Sequence, residues 1–133
     1  MASSLSPDSR SVLVVEDDPT LLFLVMEMVE LEGMKAHGAA DAEEAVGVLQ
    51  VYEDIAALIT DVEMPGPING IELAHFVQSR WPQIKIFITS GRQRLSLATM
   101  PVGATFFPKP FGLTEIRRVL DLAGFPVRAS ASG

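Results

Sequence analysis

The sequence predicts an α/β fold in which a five-stranded parallel sheet is covered by helices on both faces. Short apolar runs alternate along the chain with segments of helical periodicity, which is the order of βαβ units. Several of these runs are apolar throughout, as buried parallel strands are. The chain has 133 residues, enough for one such domain with a single core but not for two.

The first strand and the first helix are separated by an acidic sequence. Residues 11–15 (SVLVV) are apolar and rich in β-branched side chains, and they stop at EDDP. This pattern predicts a buried strand that ends in an acidic loop. Residues 20–32 then carry apolar side chains at helical spacing. Pro19 favours the first turn of this helix and Gly33 favours its end.

The second strand is predicted at residues 34–39 and is the weakest of the five. Lys35 and His37 interrupt its apolar character, so we expect it to lie at an edge of the sheet. A second helix follows. Asp41 is a good N-cap for it, two glutamates stand in its first turn where the helix dipole favours them, and its apolar stripe ends near Tyr52.

The third strand is a continuous apolar run at residues 55–60 that again ends at an acid, Asp61. Residues 64–70 (MPGPING) are typical of turns and predict a long loop. The buried side of a third helix begins at Ile71. The pair Trp81-Pro82 ends that helix, because the residue before a proline disfavours helical conformation.

The last third of the chain predicts two more strands and a closing helix. The strands are residues 84–89 and 104–107, and the helix is residues 113–122. A helix is also expected between the two strands, within residues 92–102. Its periodicity is poor and Pro101 interrupts it, so we expect this fourth helix to be short or irregular.

The two ends of the chain differ in composition from the predicted domain, which spans residues 11–122. Residues 1–10 are polar and predict a disordered segment without the apolar region of a secretory signal. Residues 123–133 are mostly small and predict a flexible tail. No apolar run is long enough to span a bilayer. We therefore expect a soluble, cytoplasmic protein that does not bind a membrane.

Composition excludes several classes of function. Lysine and arginine number 10 against 17 aspartates and glutamates, giving a formal charge of −7 with no basic cluster. Nucleic-acid binding is therefore not expected, because neutralising phosphates requires clustered cations. The chain has no cysteine, which excludes disulfides, thiolate metal sites and thiol catalysis.

Functional side chains are expected beyond the carboxyl ends of the strands, where parallel α/β sheets bind ligands. The residues at those ends are Glu16 and Asp17, then Asp61, then Thr89 and Ser90, and finally Lys109. Three carboxylates brought together repel one another unless a divalent cation lies among them. Oxygen ligands without histidine or cysteine favour Mg²⁺ over zinc. A carboxylate beside Mg²⁺, a hydroxyl and an ammonium can together receive a phosphoryl group, the carboxylate acting as nucleophile.

These motifs closely resemble the receiver domain of bacterial two-component response regulators. The matching pieces lie in the family's order over about residues 11–122, and they are VVEDDP at 14–19, LITDVEMPG at 58–66, NGIEL at 69–73, TSG at 89–91 and FPKPF at 107–111. The resemblance implies a flavodoxin-like, doubly wound sheet with strand order 2-1-3-4-5. It also implies a phosphoacceptor signalling protein that uses Mg²⁺.

The resemblance implies a role for each acidic residue. Asp61 would be the phosphoacceptor and also a ligand of Mg²⁺. The acidic pair Glu16 and Asp17 would hold the metal, and Glu63 would contribute its main-chain carbonyl.

The resemblance also implies the groups that contact the phosphoryl oxygens. Lys109 would pair with them, and the Lys109–Pro110 peptide is a candidate for the cis form. Ser90 would supply the switch hydroxyl, although a one-residue slip would assign that role to Thr89. Phe106 stands where the family has its switch aromatic, and it lacks the hydroxyl of a tyrosine. The interval from Ser90 to Lys109 is shorter than usual in the family, which also predicts a truncated fourth helix.

The expected function is that of a stand-alone receiver. A sensor histidine kinase or a histidine phosphotransfer protein would donate the phosphoryl group, and the output would pass to an unknown protein partner or by onward phosphotransfer. Such a protein is a monomer or weak dimer and is not a conventional enzyme, because it promotes only its own phosphorylation and dephosphorylation.

Two alternatives remain at this point. The fold could serve as a docking or inhibitory module that is never phosphorylated. It could also be a Mg²⁺ phosphatase like the haloacid dehalogenases, which need a second aspartate two residues after the nucleophile; here that residue is Glu63.

Overall fold

The computed structural model describes residues 9–91 and 99–125. In chain order its elements are β1 (Ser11–Val15), α1 (Pro19–Leu31), β2 (Lys35–Ala39), α2 (Ala42–Val51), β3 (Ile55–Asp61), α3 (Gly70–Arg80), β4 (Lys85–Ser90), β5 (Thr105–Pro108) and α4 (Leu113–Leu122). The strands form one sheet in the order β2-β1-β3-β4-β5, and every neighbouring pair is parallel. The predicted fold class and strand order are confirmed.

The sheet separates two apolar clusters, one on each face. Successive side chains of a strand point to opposite faces, so Leu13 and Val15 enter one cluster while Val12 and Val14 enter the other. The first cluster is completed by the buried sides of α2 and α3, and the second by those of α1 and α4. Burial on both faces explains why the central strands are apolar throughout.

Hydrogen bonds to capping side chains define where the first three helices begin. The Asp18 carboxylate accepts hydrogen bonds from the main-chain N–H groups at the start of α1. Asp41 caps α2 in the same way, as its sequence predicts. Asn69 and Glu72 form a reciprocal capping box at the start of α3. The loops after β1 and β3 are therefore bounded by defined helix starts.

Two strands are longer at their carboxyl ends than the apolar pattern predicts. Asp61 is the last residue of β3, and Ser90 is the last residue of β4. Asp61 pairs in register with Thr89, and the N–H of Val62 donates to the Thr89 carbonyl at 2.9 Å. The polar residues at these ends are thus held by the sheet itself and not by a loop.

The segment before β5 is attached to α3 by side chains. The predicted fourth helix falls mainly on residues 92–98, which lie outside the described residues. Residues 99–104 follow as irregular turns. His75 Nε2 lies 2.7 Å from the Thr99 carbonyl oxygen, and the Gln78 amide donates to the Val102 carbonyl at 2.6 Å. These bonds join α3 to the stretch that leads into β5.

The residues just after α4 are packed, although the sequence predicts a flexible tail from residue 123. Phe125 is only 3% exposed and belongs to the second apolar cluster. The Arg10 guanidinium lies 4.6 Å from the centre of its ring and donates to the Gly124 carbonyl at 3.0 Å. Burial of the Phe125 ring therefore extends the packed part of the chain to residue 125. Residues 1–8 and 126–133, the rest of the predicted disordered ends, lie outside the described residues.

None of the helices in residues 9–91 and 99–125 is both long and apolar enough to cross a membrane.

Gly70 is required by a close approach between the start of α3 and the end of β3. A Cβ atom built on Gly70 would overlap the main-chain carbonyl oxygen of Asp61. We expect Gly70→Ala to lower the free energy of unfolding by at least about 2 kcal/mol, because the overlap is with backbone that cannot move freely. Urea unfolding measures this change.

Gly47→Ala is the matched control for this experiment. Gly47 lies within α2, and a Cβ there meets nothing within 4 Å. The change should raise stability by about 0.5 to 1 kcal/mol, since alanine is the better helix former. Equal stability of Gly70→Ala and the wild type would contradict the close approach.

Candidate functional site

Four charged side chains meet at the carboxyl edge of the sheet. Asp61 ends β3, Glu16 and Asp17 follow β1, and Lys109 follows β5. The Lys109 ammonium donates to Asp61 Oδ2 at 3.0 Å and to Glu16 Oε1 at 3.1 Å. The lysine therefore reaches across the end of β4, because β4 lies between β5 and β3.

The three carboxylates form a group suited to a divalent cation. Glu16, Asp17 and Asp61 each offer an oxygen, and these oxygens all lie within 4.8 Å of one another. Glu16 and Asp61 are buried and Asp17 is exposed. Within the described residues, Asp61 Oδ1 is buried and has no hydrogen-bond partner. An oxygen-only set with a carboxylate oxygen left to coordinate fits Mg²⁺.

Glu16 is oriented by the backbone that follows it. Its Oε2 accepts a hydrogen bond from the Asp18 N–H at 3.1 Å, and its Oε1 accepts from Lys109. The Asp18 side chain faces the other way and caps α1. The sequence EDDP thus divides its acids between the site and the helix start.

Burial raises the pKa of Asp61 to about 6. The hydrogen bond from Lys109 opposes this shift, while the negative charges of Glu16 and Glu63 add to it. Burial alone lowers the pKa of Lys109, but its hydrogen bonds and charge interactions with Asp61 and Glu16 outweigh burial and raise it. Lys109 therefore stays cationic beside the carboxylates.

A cavity of about 420 Å³ with a mainly apolar lining borders the charged group. Apolar side chains from β1, β3, α1 and the loop after β5 line it, together with Glu16, Asp61, Thr89 and Lys109. Asp61 therefore lies between the charged group and an apolar lining.

The two candidate hydroxyls occupy opposite faces of the sheet at the end of β4. Thr89 lines the cavity beside Asp61. Ser90 is 1% exposed, and its Oγ donates to the Glu63 carboxylate, with distances of 3.0 and 3.2 Å to the two oxygens. Both residues therefore stand at the predicted edge, each with a different neighbour.

The hydrogen bond of the Glu63 side chain with Ser90 is a contact at the site that the sequence did not predict. The sequence assigned only its main-chain carbonyl to the metal, and that role stays a prediction. Glu63 and Asp17 line one surface depression beside the acidic group. The adjacency of β3 and β4 was the available signal, because it places the residue two after Asp61 next to the end of β4.

The remaining predicted positions lie on or just after β5. Phe106 is half-buried and packs against the first apolar cluster. Its neighbour Phe107 belongs to the second cluster, with its ring edge-on to Phe111 at 5.6 Å. The Lys109–Pro110 peptide is cis, which confirms that prediction.

Known proteins resemble this chain in both sequence and fold. A family model described as the response regulator receiver domain matches residues 12–121. The transcriptional regulatory protein CpxR of Escherichia coli K12 is 32% identical over 109 residues, which are 80% of this chain and 46% of CpxR. The chain thus spans about half the length of this relative.

Solved structures are similar over most of their length. A response regulator receiver protein from Sinorhizobium medicae gives a TM-score of 0.79 at 21% identity, over 88% of this chain and 96% of that one. The response regulator TrrA from Thermotoga maritima, in complex with Mg²⁺–BeF, gives 0.73 at 25% identity, over 86% and 98%.

The raised pKa of Asp61 predicts a pH-dependent stability in the absence of metal. Between pH 3.8 and about 6 the folded protein keeps a proton on Asp61 that the unfolded chain releases. The contribution of Asp61 to stability should therefore fall as pH rises through this window, by about 3 kcal/mol at most. Asp61→Asn has no carboxyl group to titrate at this position. The difference in free energy of unfolding between Asp61→Asn and the wild type should therefore shift in favour of Asp61→Asn from pH 4 to pH 7.

Urea unfolding in the presence of a chelator, repeated across this pH range, measures the effect. Asp121→Asn, at an exposed position of α4, is the control for losing one negative charge elsewhere. Parallel stability curves for Asp61→Asn and the wild type would contradict the assignment.

Proposed function

Because the chain belongs to the response regulator receiver domain family, we propose that Asp61 accepts a phosphoryl group from a phosphohistidine. The donor is a sensor histidine kinase or a histidine phosphotransfer protein. The observation that carries the proposal is the meeting of the Lys109 ammonium with buried Asp61 and Glu16, at 3.0 and 3.1 Å, within one acidic group.

Asp61 acts as the nucleophile in this proposal. An oxygen of its carboxylate forms a bond to phosphorus while the bond from phosphorus to the histidine nitrogen breaks, and the leaving imidazole keeps the electron pair. A pKa of about 6 leaves the carboxyl largely ionised at pH 7 and more basic than an ordinary aspartate. Both properties favour attack.

Lys109 and the acidic pair stabilise the charge on the transferred group. The Lys109 ammonium already donates to Asp61 Oδ2 and is within reach of an oxygen on the new phosphoryl group. Glu16 and Asp17, with Asp61, would hold Mg²⁺. Bound Mg²⁺ offsets negative charge on the phosphoryl oxygens.

Ser90 supplies the switch hydroxyl in the proposed mechanism. Its hydroxyl would donate a hydrogen bond to a phosphoryl oxygen. This bond would draw the end of β4 toward Asp61. Phe106, half-buried on neighbouring β5, is the side chain placed to respond. Phosphorylation thus favours a second arrangement of this edge, which a protein partner recognises.

The rest of the proposal concerns the setting of this reaction. The protein promotes its own phosphorylation and dephosphorylation and is otherwise not an enzyme. Its net charge of −7 favours protein partners over nucleic acid. It works in the cytoplasm, where phosphohistidine donors are found, as a monomer or weak dimer. Stand-alone action stays a prediction, since CpxR is about twice as long as this chain.

Incubation with Mg²⁺ and acetyl phosphate, followed by intact-mass spectrometry, tests the central step. We expect the wild type to gain one phosphoryl group that hydroxylamine removes, as it removes acyl phosphates. Asp61→Asn should gain none. Lys109→Met should gain it about a hundredfold more slowly, because the charge on the phosphoryl oxygens loses one preorganised donor.

Asp18→Asn is the matched control, because the asparagine removes an adjacent charge and still caps α1. It should behave as the wild type does. Absence of an adduct with both acetyl phosphate and a phosphorylated histidine kinase would contradict the proposal and favour an unphosphorylated docking module. Steady turnover of a phosphomonoester would indicate a phosphatase instead.

A further inference from the structure

Glu63 and Ser90 form a clasp between the loop after β3 and the end of β4. The buried Ser90 Oγ lies 3.0 Å from Glu63 Oε2 and 3.2 Å from Oε1. Glu63 itself lies on the surface, two residues after Asp61. Hydrogen bonds to a charged acceptor are stronger than those between neutral groups, so this contact stabilises the position of the hydroxyl.

The clasp and the proposed switch require the same proton. A serine hydroxyl has one hydrogen to donate. While Ser90 donates to the Glu63 carboxylate, it cannot donate to an oxygen on Asp61. A phosphoryl group on Asp61 would also bring further negative charge toward Glu63. Both effects oppose contact between Ser90 and the phosphoryl group as long as Glu63 is in place.

We propose that Glu63 is a positioning residue that holds Ser90 in the resting arrangement and thereby opposes the phosphorylated one. The inference rests on the proposed function, because it assumes that Ser90 engages a group on Asp61. Glu63 then sets how strongly a phosphoryl group must interact with Ser90 to shift the equilibrium. This role belongs to its carboxylate and is separate from any role of its main-chain carbonyl.

A double-mutant cycle with beryllofluoride and Mg²⁺ as the probe tests the clasp. Beryllofluoride is an analogue of the phosphoryl group and is bound with Mg²⁺ by the similar receiver TrrA. Its affinity is measured by titration calorimetry for the wild type, Glu63→Ala, Ser90→Ala and the double variant. The cycle separates two effects of Glu63 on the affinity for beryllofluoride, its hydrogen bond with Ser90 and the repulsion by its charge. Only the first effect requires the Ser90 hydroxyl.

We expect Glu63→Ala to tighten binding about fivefold, which is the size of one released hydrogen bond. The gain should largely disappear when Ser90 is alanine. Glu63→Gln keeps an acceptor at the same reach, so its affinity should lie closer to wild type than that of Glu63→Ala. Glu53→Ala removes an exposed charge near the opposite end of the sheet and should change nothing.

Two results overturn the clasp while leaving the proposed function intact. One is that Glu63→Ala binds beryllofluoride with the same affinity as the wild type. This result would also follow if Thr89 supplied the switch hydroxyl. The other is an equal gain with and without Ser90, which would show charge repulsion alone. Failure of the wild type to bind beryllofluoride overturns the proposed function and the clasp together.

Discussion

The site depends on one electrostatic constraint, which is that three carboxylates crowd together at a partly buried edge of the sheet, where the Lys109 ammonium contacts two of them. Lys109 lies 3.0 Å from Asp61 and 3.1 Å from Glu16, and the third acid, Asp17, lies at the surface. Burial raises the pKa of Asp61, the nearby carboxylates add to that shift, and the crowded oxygens favour binding a cation.

The strand order produces this crowding. β1, β3 and β4 are neighbours, and all strands are parallel, so their carboxyl ends carry Glu16, Asp61 and Ser90 to one edge. Lys109 joins them from β5, the strand beyond β4. Gly70 lets α3 begin against the backbone of Asp61, and Asp18 starts α1 directly after the acidic pair. The residues that allow α1 and α3 to start at this edge therefore also fix the position of the carboxylates next to them.

The sequence predicted the strand order and, to within about one residue, the strands that local periodicity indicates. The buried strands, the edge position of β2 and the Asp41 cap follow from short local patterns. The contact of the Glu63 side chain was not predicted, because it depends on how the loop after β3 meets the end of the neighbouring strand β4. The bonds from His75 and Gln78 to the segment before β5, and the burial of Phe125, depend on distant partners in the same way.

The most direct test is the effect of Mg²⁺ on the free energy of unfolding at constant ionic strength. A Mg²⁺ site formed by Glu16, Asp17 and Asp61 should give the wild type a saturable stabilisation, reaching about 2.7 kcal/mol at a hundred times the dissociation constant. Asp17→Asn, at an exposed position, should lose most of it, while Asp18→Asn should keep it, because asparagine still caps α1. Equal stabilisation of Asp17→Asn and the wild type, or no effect beyond that of added sodium chloride, would show that these carboxylates do not form a Mg²⁺ site.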